Sequence, residues 1–168
     1  MTEILPESIP LEFEGTPVQD VMVSKPICCR DTSTVADAVQ LMVEHGIGGL
    51  PVVDDGGHVV GFVSDGDVMR CIAQHRAHSI FTGGDAPMLY FDDQRLDERI
   101  ADVKGRSVMD IATRKVVCSR PSQSIARCAA TLSRRKFKMM PIVDEDGILV
   151  GLVTRSTLVH YVFSVMFS

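Results

Sequence analysis

Leu50-Pro51-Val52-Val53-Asp54-Asp55-Gly56-Gly57-His58-Val59-Val60-Gly61-Phe62-Val63-Ser64 returns ninety residues later as Met140-Pro141-Ile142-Val143-Asp144-Glu145-Asp146-Gly147-Ile148-Leu149-Val150-Gly151-Leu152-Val153-Thr154. Laid over one another, Ser24–Val68 and Arg114–Leu158 share 11 identities in 45 positions, most of them between the proline and the last valine. Such a duplication is expected to pack as two similar halves about a pseudo-twofold axis, with clefts between them. Two copies make an internal dimer rather than a solenoid. The differences between the copies then become the informative part.

Outward from that stretch, each repeat reads as strand, helix, strand, strand, helix. In the first, Lys25–Cys29 is a short apolar run, and Asp31-Thr32-Ser33 supplies helix-capping chemistry. Val35, Ala38, Val39, Leu41, Met42 and His45 follow at helical spacing, with Gly46 suited to the C-cap. Gly48-Gly49 gives a permissive turn, and Val52-Val53 a brief strand. Asp54–Gly57 reads as a hairpin turn, because glycine tolerates the positive φ that tight turns demand. His58–Val63 is the returning strand, and Ser64 opens a helix to about Gln74.

The second repeat follows the same pattern, with an expected three-residue insertion after Val108-Met109. Val116–Cys118 is its first strand, Ser122 caps Ile125–Lys136, Asp144–Gly147 is the turn, Ile148–Val153 the last strand, and Thr154 opens the final helix. The division is an N-terminal segment (1–17), repeat one (18–74), a linker (75–105) and repeat two (106–168). In the linker, residues 82–87 have loop composition, and residues 92–104 are charged with apolar residues at helical spacing. From Leu158 to Phe167 the tail is apolar almost all round, so it should be buried in this molecule or against a second copy. The fold class is α/β (α+β), with a small three-stranded sheet and two helices per repeat.

The chain has 168 residues, 17 basic and 22 acidic, for a net charge of −5. That balance argues against nonspecific nucleic-acid binding, which needs a cationic face. No run reaches the ~18–20 apolar residues of a membrane span, and the acidic, proline-broken start does not read as a signal peptide. A cytoplasmic location is the expectation. The five cysteines show no metal-ligand spacing; Cys28 and Cys118 fall at equivalent positions in apolar runs and read as small buried hydrophobes. His75 and His78 have no nearby carboxylate to complete a ligand set, so no metal site is expected.

The pattern resembles the cystathionine β-synthase (CBS) domain, which occurs in tandem pairs. The resemblance rests on Val21-Met22 and Val108-Met109 at the start of each repeat and on Leu50–Asp54 and Met140–Asp144. Its most specific part is Gly61-Phe62-Val63-Ser64-x-x-Asp67-Val68. It implies two βαββα units forming a compact disc that binds adenosyl ligands (AMP, ADP, ATP or S-adenosylmethionine) between its repeats and associates as a homodimer. No cofactor is required by it.

The Ser64-x-x-Asp67 spacing has a physical reading of its own. A strand that turns straight into a helix leaves unpaired N–H groups, a natural place for anionic or hydroxyl-rich ligands. Asp67 one turn on could accept both hydroxyls of a ribose. The same spacing is also a capping box, which needs no ligand. In repeat two the equivalent of Asp67 is Thr157, which lacks the charge. By the resemblance each cleft is composite. Ser64 and Asp67 would face Val116, Val117, Lys138, Met139 and Met140, with Lys138 a cation for phosphate. A weaker second cleft would set Thr154 and Thr157 against Ile27, Cys28, Gly48, Gly49 and Leu50. One competent nucleotide site is the expectation. Arg134, Arg135 and Lys136 read either as a solvated helix C-terminus or as phosphate contacts.

No nucleophile–base pair, carboxylate dyad or P-loop assembles from these motifs. The expected function is therefore a non-catalytic sensor acting on a separate regulated protein, with a ligand-free dimerisation module as the alternative.

Overall fold

The computed structural model describes residues 2–4, 15–73, 78–79, 90–91 and 95–168. Its elements in chain order are β1 (Glu3–Ile4), β2 (Val23–Ser24), β3 (Cys29–Arg30), α1 (Val35–His45), β4 (Gly49–Val53), β5 (Val59–Ser64), α2 (Asp65–Ala73), β6 (His78–Ser79), β7 (Tyr90–Phe91), α3 (Leu96–Lys104), β8 (Val117–Cys118), α4 (Ile125–Arg134), β9 (Met139–Val143), β10 (Leu149–Thr154) and α5 (Arg155–Met166). Short 3-10 turns at Val18–Asp20 and Val108–Asp110 lead into the two repeats. Gln74, His75, the side chain of His78 and the 82–87 loop lie outside the described residues.

The hairpins form as their sequences require. β4 pairs antiparallel with β5, and β9 with β10. Gly57 and Gly147 close the two turns at φ of 85° and 84°, values a side chain would strain. Asp54 and Asp144 accept the backbone N–H of His58 and Ile148 at 2.9 Å, which fixes both turns alike. The N–H of His58 also holds the Asp54 carboxyl below the usual carboxylate range.

Each repeat borrows its lead-in from the other. β2 pairs with β10, so the order in that sheet is β2-β10-β9. Thr113 and Phe62 exchange backbone hydrogen bonds of 2.8 and 3.0 Å at the edge of the β3-β4-β5 sheet. Val18 donates to Gln123 O and Val108 donates to Ser33 O. Val18 is fully buried among Val117, Ile125, Leu132, Met140 and Leu158, while Val108 fills the matching place beside Ala38, Leu50 and Val63. The lead-ins thus correspond at the same ninety-residue offset as everything after them. The expected insertion after Val108-Met109 does not exist: Val108 answers to Val18, not to Val21. A third cluster, with Val53, Val59, Val116, Cys118 and Val143, joins the two halves.

Three local expectations are corrected. Thr34, not Asp31–Ser33, caps α1, accepting from Asp37 N while the Asp37 carboxylate accepts from Thr34 N at 2.8 Å. These bonds hold the Asp37 carboxyl below its usual range. Ser124, not Ser122, caps α4, which ends at Arg134 rather than Lys136. The run Lys25–Cys29 is not one strand, because Lys25 takes a left-handed φ of 53° and separates β2 from β3. Burial pushes the Cys29 thiol up to about 11 and Cys118 up to about 12, which suits packing rather than thiolate chemistry.

The tail does not follow the first branch of its expectation. Of α5 only Leu158 is buried; Phe163 is 61% and Phe167 74% exposed, with Val159, Val162, Val165 and Met166 exposed beside them. Tyr161 is anchored by a 2.7 Å hydrogen bond with Thr16. Among the described residues no helix is long and apolar enough to cross a membrane.

Candidate functional site

Ser64 closes β5 and its chain turns at once into α2. The Ser64 hydroxyl accepts from Asp67 N at 3.3 Å, and Asp67 Oδ2 accepts from Ser64 N at 2.9 Å and from Ser64 Oγ at 2.6 Å. The capping reading is therefore realised in full. The other carboxylate oxygen, Oδ1, accepts from Arg70 Nη1 at 2.9 Å. The Asp67 side chain is 10% exposed and that of Arg70 is 68% exposed. Oδ1 keeps a second lone pair for a ribose hydroxyl, beside a guanidinium whose exposed side chain can share or yield that oxygen.

These residues line a cavity of about 430 Å³ whose opposite wall comes from repeat two, a size within the range of small-molecule sites. Val116 and Val117 line it, together with the half-buried Phe62, Phe137 and Met139. They make an apolar slot that suits an aromatic base. Lys138 lies at the mouth, where its ammonium approaches Asp65 Oδ1 at 3.6 Å and links the two repeats. Both side chains are more than half exposed, so this pair adds little stability and can yield to a ligand.

Several assigned residues belong elsewhere. Met140 is fully buried in the core of repeat two, on the face of β9 away from Met139. Leu50 is its counterpart in the core of repeat one. Gly48 lines the first cleft, not the second: a Cβ there would meet Asp65 Oδ2 at 3.2 Å and Met139 Cε at 3.9 Å. A Cβ at Gly49 would stand 2.9 Å from Val63 O, so this glycine serves the close approach of β4 to β5.

Of the remaining second-cleft residues, Thr154 caps α5 and the Thr157 hydroxyl is used within that cap. It accepts from Thr154 N and donates to Thr154 O. Ile27 and Cys28 are half-buried and do not line the cavity.

The sequence reading missed Arg70, Lys115, Thr113 and Asp65. Arg70 was within reach, because a residue three positions after Asp67 shares its helix face. Arg135 and Lys136, which read either as a solvated helix C-terminus or as phosphate contacts, also line the cavity. Lys136 follows α4 at a left-handed φ of 57°.

The chain matches the CBS domain twice, at residues 18–74 and 108–164. It is 33% identical over 149 residues to the chloroplastic CBS domain-containing protein CBSX2 of Arabidopsis thaliana, covering 86% of this chain and 60% of that one. The crystal structure of CBSX2 in complex with AMP superposes with a TM-score of 0.69 at 29% identity, covering 90% of this chain and 99% of that one. L-aspartate semialdehyde sulfurtransferase of Methanocaldococcus jannaschii is 22% identical across 88% of this chain, but the match spans 23% of the enzyme. With two matched repeats and a fold shared with a solved CBS-pair protein, this chain belongs to the CBS domain family as a tandem pair.

Proposed function

We propose that this chain is a non-catalytic sensor in which one adenosyl ligand, drawn from AMP, ADP, ATP and S-adenosylmethionine, occupies the Ser64/Asp67/Lys138 cleft. The observation that carries this reading is the composite cavity. Repeat one supplies a helix N-terminus with a carboxylate, and repeat two supplies an apolar slot and cations. The relative solved with AMP supports the ligand class. A molecule bound to both walls favours whichever arrangement of the repeats closes on it, and a separate protein would read that change. Thr157, without a charge and engaged in its cap, supports a single competent cleft per chain. Five free cysteines support a reducing compartment such as the cytoplasm.

Thermal-shift titration with the four ligands tests the reading. A ligand at a hundred times its Kd should add about 2.7 kcal/mol to stability, and Tm should rise. No shift with any of the four at millimolar concentration would leave only the alternative, a dimerisation module with vestigial clefts.

The exposed apolar side chains of α5 support a homodimer in which this helix is covered by another copy. Phe163 on that helix lies 4.6 Å, ring to ring, from Phe167 just past its end. Phe163→Glu should weaken self-association by about 30-fold or more, the effect of losing an aromatic anchor, with folding intact. Sedimentation equilibrium reads this directly; an unchanged dimer constant would place the interface elsewhere.

A further inference from the structure

Asp65 is the first residue of α2 and lines the cleft at its mouth. Its N–H donates to Gly48 O at 3.0 Å, and in repeat two Arg155 N donates to Lys138 O at the same distance. The backbone is thus duplicated while the side chains are inverted in charge. Arg155 folds back onto its own repeat, donating from Nε to Phe137 O at 2.7 Å and from Nη2 to Leu132 O at 3.3 Å. Asp65 instead reaches across to repeat two, where its Oδ1 lies 3.6 Å from Lys138 Nζ.

The carboxylate of Asp65 is held in that place from two sides. Oδ1 accepts from Gly66 N at 2.7 Å. Oδ2 lies over Gly48, where a Cβ would stand 3.2 Å away, so glycine at 48 leaves the room that the carboxylate fills. The cap of α2 does not need it, because Ser64 and Asp67 already satisfy each other there.

Resting on the nucleotide reading above, we infer that Asp65 is a specificity-determining residue, which sets the charge that the cleft accepts at the 5′ end of its ligand. Lys138 attracts a phosphate at the mouth; Asp65, beside it, repels the phosphate and attracts a cation. Neither residue excludes a ligand outright, since the Lys138 and Asp65 side chains are 69% and 54% exposed and well solvated. AMP, with about two negative charges on its phosphate, gains from Lys138 and loses to Asp65. S-adenosylmethionine, whose sulfonium and ammonium outweigh its one carboxylate, gains from Asp65 and loses to Lys138. Adenosine carries no charge at that end and is indifferent to both. Selectivity here includes a repulsive element as well as an attractive one.

Calorimetric titration of wild type, Asp65→Asn and Lys138→Met with adenosine, AMP, ADP, ATP and S-adenosylmethionine at low ionic strength tests this. Asn at 65 keeps an oxygen for Gly66 N and leaves the Ser64–Asp67 cap intact, so Tm should stay near that of wild type. Asp65→Asn should bind AMP, ADP and ATP about three- to ten-fold more tightly and S-adenosylmethionine more weakly by a similar factor. That is the effect of one unit charge lost a few ångströms from the ligand in a solvated mouth. Adenosine should not move. Lys138→Met should shift the charged ligands the opposite way, and salt should shrink both effects. Asp55→Asn removes the same charge from the β4–β5 turn, outside the cavity, and should shift no ligand. Phosphate ligands unchanged or weakened in Asp65→Asn, or tightened equally in Asp55→Asn, overturn the inference and leave the sensor reading standing. If wild type binds none of the five, the sensor reading falls, and this inference with it.

Discussion

Met140→Ala should cost about 2–5 kcal/mol of stability, lowering Tm by roughly 5–20 °C for a domain of this size. Ligand affinity of the folded fraction should be unchanged. Met140 has no exposed surface and packs with Val18, Leu132, Ile142, Val153 and Leu158. Truncation removes its transfer free energy and leaves a void that a close-packed interior fills only in part. Val18 comes from the lead-in of repeat one, so the damage should also loosen the exchanged segment. Met139→Ala is the control with the opposite profile. Its side chain borders the cavity and is half-buried, so binding should weaken while stability moves by about 1 kcal/mol or less. Urea denaturation with parallel titration separates the two. Loss of affinity in Met140→Ala without loss of stability would return that residue to the site.

The pair Met139 and Met140 also shows where sequence reasoning stops. Both sit before the proline of a five-residue strand whose residues are buried almost throughout. A strand covered on both faces shows no alternation, so nothing in the local pattern tells cleft from core. The hairpins were legible because glycine, aspartate and flanking valines specify their own turn. The Ser64–Asp67 and Thr154–Thr157 caps were legible for the same reason: their bonds close within four residues.

The exchange of lead-ins was not legible, since β2 pairs with β10 more than 120 residues away and no local rule encodes such a pairing. Val21-Met22 and Val108-Met109 attracted alignment by resemblance of a dipeptide. The true equivalence, Val18 with Val108, is one of burial. Of the residues expected in the first cleft, Val116, Val117, Lys138 and Met139 line the cavity; Lys115 and Arg70 line it without having been expected there, because a surface cation carries no signal until the fold gives it a cavity to face.

Asp67→Asn should weaken nucleotide binding by about 10- to 100-fold, the worth of hydrogen bonds to a charged acceptor, yet leave Tm nearly in place. The amide keeps one oxygen, which can accept from Ser64 N as Oδ2 does at 2.9 Å, so α2 retains most of its cap. What it loses is the charge and the second acceptor that now pairs with Arg70. Asp67→Ala removes both functions. It should lose affinity to the same extent and also about 1 kcal/mol of stability, a typical cost for a lost helix cap. The two variants therefore divide the capping role from the ribose role, which wild-type geometry combines in one carboxylate. Equal affinity losses with unequal Tm mark Asp67 as a ligand-binding residue that also caps. A fall in Tm for Asp67→Ala with affinity intact in both variants would make it a cap alone, and the cleft's specificity would then rest on its cations.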